Sequence, residues 1–95
     1  MATIIRTDGS EEKLVGDNPN GSLSLKQMQE VVGGLIQPLY DYDGKTILVA
    51  NEEGLLEGLD LNIRATFIAS QKFGQEYGIV GDVIIPDRDT GEEWF

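Results

Sequence analysis

The stretch Ser22–Gly54, SLSLKQMQEVVGGLIQPLYDYDGKTILVANEEG, limits the folds open to this chain more than any other. It reads as a capped helix, a double-glycine stop, and a hairpin closed on Asp43-Gly44. Ser24-Leu25-Lys26-Gln27 fits a capping box, in which the Ser24 hydroxyl accepts from the Gln27 amide and the Gln27 side chain reaches back to the Ser24 amide. Leu23 before the cap and Met28 inside it have the spacing of a hydrophobic staple. Leu25, Met28, Val31 and Val32 form one apolar face, while Lys26, Gln27, Gln29 and Glu30 cover the outside. Gly33 is placed to end the helix in the left-handed conformation, and Gly34 lets the chain reverse tightly.

The hairpin strands are Leu35–Tyr42 and Lys45–Asn51. Closure on Asp43-Gly44 sets Tyr40 opposite Ile47 and Pro38 opposite Val49. Both faces of the hairpin are then substantially apolar, which calls for the helix on one and a second element or a partner on the other. Pro38 cannot donate to a ladder, so its strand should have a free edge or a bulge.

Upstream, Ala2–Arg6 is β-rich, Asp8-Gly9 suits a two-residue type I′ turn, and Glu12–Val15 reads as the return strand. Gly16–Gly21 (GDNPNG) has turn chemistry throughout and reads as a surface loop. Downstream, Asn51-Glu52-Glu53-Gly54 is a turn and Leu55–Leu59 a short connector. Asp60 is placed to cap a helical segment over Leu61–Ser70, with Leu61, Ala65 and Ile68 as its buried stripe and Ile63 and Phe67 as a second stripe. Gln71–Gln75 reads as a turn, and Tyr77–Ile85 as a strand irregular at Gly81, with Pro86 stopping it. The fold class is therefore α+β: a small, mainly antiparallel sheet of about five strands with one well-defined helix and a second short helix. Residues 1–86 form a single domain, and residues 87–95, ending in Trp94-Phe95, form an acidic tail.

Composition narrows the chemistry. The 95 residues include no cysteine and no histidine, which removes thiolate ligands, disulfides, and the commonest general base and transition-metal ligand. Seven Lys and Arg stand against 17 Asp and Glu, a formal charge of −10 that repels nucleic-acid phosphates and anionic lipid. No apolar run has the length of a membrane span, and the N-terminus has no signal-peptide pattern, so the expectation is a cytoplasmic protein with no cofactor, no direct nucleic-acid binding and no membrane contact. Ser, Lys, Asp and Glu show no recognisable catalytic spacing.

Gly21-Ser22-Leu23, Met28-Gln29, Val32-Gly33-Gly34-Leu35-Ile36, the Asn51–Gly54 turn, Leu59, the set Asn62, Arg64 and Ala65, and the Ile79–Asp82 strand together resemble the domain of unknown function 3846 family of small phage and mobile-element proteins. The resemblance covers about residues 21–85 and leaves the tail outside. The family often has a proline after the leucine; here Asp60 stands in that place. The resemblance implies an intracellular protein of phage or plasmid context and no established catalytic residues.

Two functions follow as expectations. The first is a non-enzymatic interaction protein, such as an inhibitor of a host defence system that binds a host protein; DNA mimicry is its minor form, because the carboxylates are scattered over loops. The second is a binder that sequesters a nucleotide signal. It would use Arg64 and Asn62, the backbone amides of Gly33 and Gly34, and Tyr40 or Tyr42 for stacking. The simpler reading of Arg64 is a surface ion pair, and that of Glu52 and Glu53 is solvation on a turn. The candidate ligand- or partner-binding residues are thus Gly33, Gly34, Tyr40, Tyr42, Asn51, Glu52, Glu53, Asn62 and Arg64. The open hairpin edge adds the expectation of a homodimer.

Overall fold

The computed structural model describes residues 2–40, 44, 46–73 and 78–86. Two helices enclose one five-stranded sheet. The strands are β1 (Ala2–Ile5), β2 (Glu11–Leu14), β3 (Ile36–Tyr40), β4 (Thr46–Asn51) and β5 (Val83–Pro86); the helices are α1 (Leu25–Val32) and α2 (Ile63–Phe73). The sheet order is β2-β1-β5-β4-β3, and every neighbouring pair is antiparallel. The α+β class and the strand count agree with the sequence reading.

Alternation along the central strands sets the three layers. Successive side chains of a strand point to opposite faces. Val49 and Ile84 face α1 and pack with Ala2, Leu23 and Met28. Their chain neighbours Leu48, Ala50 and Val83 face the other way and pack with Ala65 and Ala69 of α2. The centre of the sheet is apolar on both faces because each face carries a helix.

At α1 the local signals act largely as read. Ser24 Oγ accepts from the Gln27 amide at 3.1 Å, and Leu23 and Met28 are both buried in the same cluster. Gly33 ends the helix at φ 81°, its amide donating to the Gln29 carbonyl at 2.9 Å. Two details differ. The Gln27 side chain does not return to Ser24: its Nε2 donates to the Val15 carbonyl, 2.6 Å, and its Oε1 accepts from the Asp17 amide, 3.1 Å, so it pins the 15–17 loop instead. Leu25, placed on the apolar face by periodicity, is exposed, because the buried contacts of this two-turn helix centre on Met28 and Val32.

The first hairpin also closes differently. Among the described residues no non-glycine residue has positive φ, so Asp8 cannot serve a type I′ turn. Gly9 alone takes φ 90°; its amide donates to the Arg6 carbonyl and the Arg6 amide to the Ser10 carbonyl, a longer loop with glycine at the left-handed position. In the second hairpin Pro38 pairs with Val49 as expected, but a bulge between Leu39 and Tyr40 sets Tyr40 opposite Thr46, not Ile47. The closing residues 41–43 and 45, which include Tyr42, lie outside the described residues, as does the 87–95 tail.

Proline explains how β3 can be an edge. The Glu52 amide donates to the Leu35 carbonyl, 2.8 Å, so Leu35, Gln37 and Leu39 direct their backbone groups at β4 and Ile36, Pro38 and Tyr40 direct theirs outward. Pro38 therefore stands where a missing amide costs no ladder bond, and it interrupts the row of donors that a further strand would need. The opposite edge, β2, is exposed and charged at Glu11, Glu12 and Lys13.

The second helix begins and ends later than its periodicity predicts. It starts at Ile63, not Leu61, and its cap is Asn62, not Asp60: Asn62 Oδ1 accepts from the Ala65 amide at 3.0 Å. Leu61 instead bridges Val80, and the Asp60 carbonyl accepts from the Gly81 amide. The helix continues through Gln71 to Phe73, where a turn was expected. Its buried stripe is Ala65 and Ala69, with Leu61, Ile63 and Phe67 exposed. Small residues let the helix sit close on the sheet, and that close seating leaves its bulky side chains outside. The Tyr77–Ile85 strand is broken at Gly81, φ 78°; Val80 makes only the bridge to Leu61, and the regular strand starts at Val83.

Candidate functional site

A cleft of about 590 Å³ opens where α2 leaves the β3–β4 side of the sheet uncovered. Gln37, Leu39 and Ala50 form its floor, residues 51–56 one wall, and Gly78, Ile79 and Val80 the other. That volume falls within the roughly 300–1,000 Å³ usual for ligand clefts.

The 51–56 wall is held by local hydrogen bonds. The Glu57 amide donates to the Glu53 carbonyl, 2.9 Å, and the Leu59 amide to the Gly54 carbonyl, 3.0 Å; this is one helical turn ended by Gly58 at φ 70°. Gly54 faces inward so tightly that a Cβ there would stand 2.7 Å from Val80 Cγ2. With Gly54 turned in, Leu55 and Leu56 are turned out, 79% and 88% exposed.

Asn51 ties this wall to α1. It is buried, donates from Nδ2 to the Val32 carbonyl at 3.0 Å, and accepts at Oδ1 from the Glu53 amide at 2.8 Å. It thus caps the end of α1 and sets the direction of the turn at once. A Cβ on Gly34 would lie 3.1 Å from Asn51 Nδ2 and 3.5 Å from Glu57 Oε1, so the glycine pair, Asn51 and Glu57 meet at one place.

The electrostatics at that place are one-sided. Glu52 and Glu53 are exposed on the cleft wall, and α1 has no basic residue in its last turn to offset the negative end of its dipole. The ion pairs among the described residues join Arg6 to Glu12 and Asp82, and Arg64 to Glu11; none reaches a carboxylate of the cleft. Paired carboxylates raise the Arg6 pKa further, the hydrogen bond that Arg6 donates to Glu12 acting most and the one it donates to Asp82 next.

The fold therefore gathers five of the sequence candidates, Gly33, Gly34, Asn51, Glu52 and Glu53, at one end of the sheet. It sets the others elsewhere. Asn62 is fully buried, with Nδ2 donating to the carbonyls of Ile5 and Gly81, both 2.9 Å, so all its polar atoms serve the fold. Arg64 donates to the Gly9 carbonyl at 3.2 Å and pairs with Glu11 at 3.0 Å, the surface ion pair that the simpler reading expected. Tyr40 is half-exposed on the edge strand, and Tyr42 lies outside the described residues. The amides of Gly33 and Gly34 both donate to the Gln29 carbonyl, 2.9 and 3.1 Å, which uses the donors a phosphate would need. Leu55, Leu56, Gln37, Leu39 and the 78–80 wall were not singled out from sequence. The signal was the adjacent Leu55-Leu56 pair, since one turn cannot bury both of two consecutive leucines.

Among the described residues no group of three or more acidic side chains is disposed to hold a metal ion, and no helix is long and apolar enough to cross a membrane.

The model of the family described as Domain of unknown function (DUF3846) matches residues 2–95, and the chain belongs to that family. The match takes in the N-terminal hairpin and the C-terminal tail, both beyond the span of the resemblance read from sequence. Searches of the curated proteins and of the solved structures returned no match.

Proposed function

We propose, with membership of this family as the premise, that the chain is a non-enzymatic interaction domain that binds a partner protein through the cleft beside Leu55 and Leu56. The single observation carrying this reading is the exposure of those two leucines, 79% and 88%, on a wall fixed by hydrogen bonds beside an apolar floor. Exposed apolar side chains beside a cleft favour association, because covering them releases water, and the hydrogen-bonded turn that carries them needs no further ordering of its backbone. The finer reading, a host defence component as the partner and a cytoplasmic site of action in the host cell, rests on the mobile-element context that the resemblance implies.

The test is site-specific crosslinking in the native host. A photoreactive residue at Gln37 or Leu56 should give one discrete protein adduct, and the same residue at Lys13, on the opposite edge of the sheet, should not. Equal adducts from all three positions, or none from the cleft positions, would overturn the reading.

A further inference from the structure

Charge decides what kind of segment suits the cleft. The cleft is apolar at Leu39 and Ala50 of the floor and at Ile79 of the far wall, whereas Glu52 and Glu53 stand on the near wall with no cation paired to them among the described residues. Glu57 adds a third carboxylate beside Gly34, at the uncompensated C-terminal end of α1. The described arginines pair at the other end of the fold, Arg6 with Glu12 and Asp82 and Arg64 with Glu11 beside the first hairpin. The whole chain carries −10, so a second copy would approach this face against like charge.

We propose that the occupant of the cleft is a basic segment of a partner protein, with one or two aliphatic or aromatic side chains on the Leu39–Ala50 floor and a flanking Lys or Arg against Glu52 and Glu53. This rests on the protein-binding reading above and specifies its ligand. The apolar anchors supply affinity through desolvation, and the carboxylates set which anchors are admitted, by steering and by repelling acidic flanks.

The experiment uses the isotopically labelled full chain and three synthetic peptides that share one Leu-rich anchor and differ only in Lys, Ser or Glu flanks. In amide-resolved NMR titrations the Lys-flanked peptide should saturably shift Gln37, Ala50, Leu55, Leu56 and Val80, and the Glu-flanked peptide should leave them unmoved. The double variant Glu52→Gln, Glu53→Gln changes two exposed side chains and should keep the parent's dispersed amide spectrum, and it should bind the Lys-flanked peptide about tenfold more weakly, the joint effect of two exposed ion pairs. Equal binding of Ser- and Lys-flanked peptides, or no loss in the double variant, overturns the charge assignment while leaving a protein-binding cleft in place. Peptides that shift no cleft amide, or a concentration-dependent shift of the same amides with no peptide present, overturn the proposal in favour of a different surface or of a second copy. The crosslinking experiment above reports on the broader reading independently.

Discussion

Replacing Asn62 by alanine should cost this domain more than any surface change of comparable size. Asn62 joins three parts of the fold that are far apart in sequence. Its amide nitrogen donates to the carbonyls of Ile5, at the end of β1, and Gly81, at the entry to β5, each at 2.9 Å, and its oxygen caps α2 through the Ala65 amide at 3.0 Å. Alanine removes the cap, worth about 1 kcal/mol, and leaves two buried carbonyls short of a partner at about 1 kcal/mol each. The backbone bonds from the Asn62 amide to the Ile79 carbonyl and from the Thr66 amide to the Asn62 carbonyl survive, so the loss is confined to the side chain and comes to about 3 kcal/mol. A domain of this size has a total stability of roughly 5–14 kcal/mol. The corresponding fall in Tm is roughly 12–24 °C, readily followed by circular dichroism. Asn62→Asp gives a second measurement. It keeps the capping oxygen but sets an acid oxygen against two carbonyls in a fully buried site, which raises the carboxyl pKa in the folded state above its unfolded value near about 3.9. Between those two values the folded state binds more protons than the unfolded, so stability falls as pH rises. The aspartate variant should therefore lie closest to the parent in acid and farthest from it at neutral pH. An alanine variant melting within about 3 °C of the parent, or an aspartate variant whose deficit ignores pH, would refute the three-way role of this side chain.

Two further outcomes follow from single contacts. Gly33→Ala should lose about 1 kcal/mol, the strain of a left-handed residue, since nothing stands within 4 Å of the added Cβ. Gly81→Ala should lose at least as much, because it carries the same left-handed strain and its Cβ, 2.8 Å from Leu59 Cδ1, obliges that methyl to swing aside, and urea titrations showing a clearly smaller loss than for Gly33→Ala would contradict this packing. Asp8 has its carboxyl pKa lowered, first by the Ser10 hydroxyl and then by the Ser10 amide, so what it contributes to stability is present above its unfolded pKa and is lost as pH falls through the depressed folded value. In an NMR titration Ser10→Ala should move the Asp8 midpoint upward, and an unmoved midpoint would exclude the hydroxyl as the main cause.

The site was partly visible in the sequence, for reasons that differ from residue to residue. The Gly33-Gly34 stop and the Asn51–Gly54 turn are local devices, and both stand where their residue types placed them. Arg64 and Asn62 drew attention as donors, and the fold turns those donors to the tip of the first hairpin and to the end of β1. Ligand donors and structural donors are the same residue types, and only the partner distinguishes them. The cleft itself was not legible. Its floor comes from β3 and β4 and one wall from residues 78–80, and it is open only because α2 seats over the other side of the sheet face.

Local chemistry was enough to start α1 at Ser24, to stop it at Gly33, to make Pro38 an edge residue and to require an α+β sheet. These outcomes depend on steric and hydrogen-bonding terms that act within about four residues of chain. Tertiary contacts decided the rest: the bulge that moves Tyr40 opposite Thr46, the choice of Ala65 and Ala69 over Ile63 and Phe67 as the buried stripe of α2, and the capture of Asn62 by a carbonyl 57 positions away. Several registers and helix rotations satisfy the local terms almost equally, and the one adopted is the one in which both faces of the central strands are covered and every buried polar side-chain atom among the described residues finds a partner.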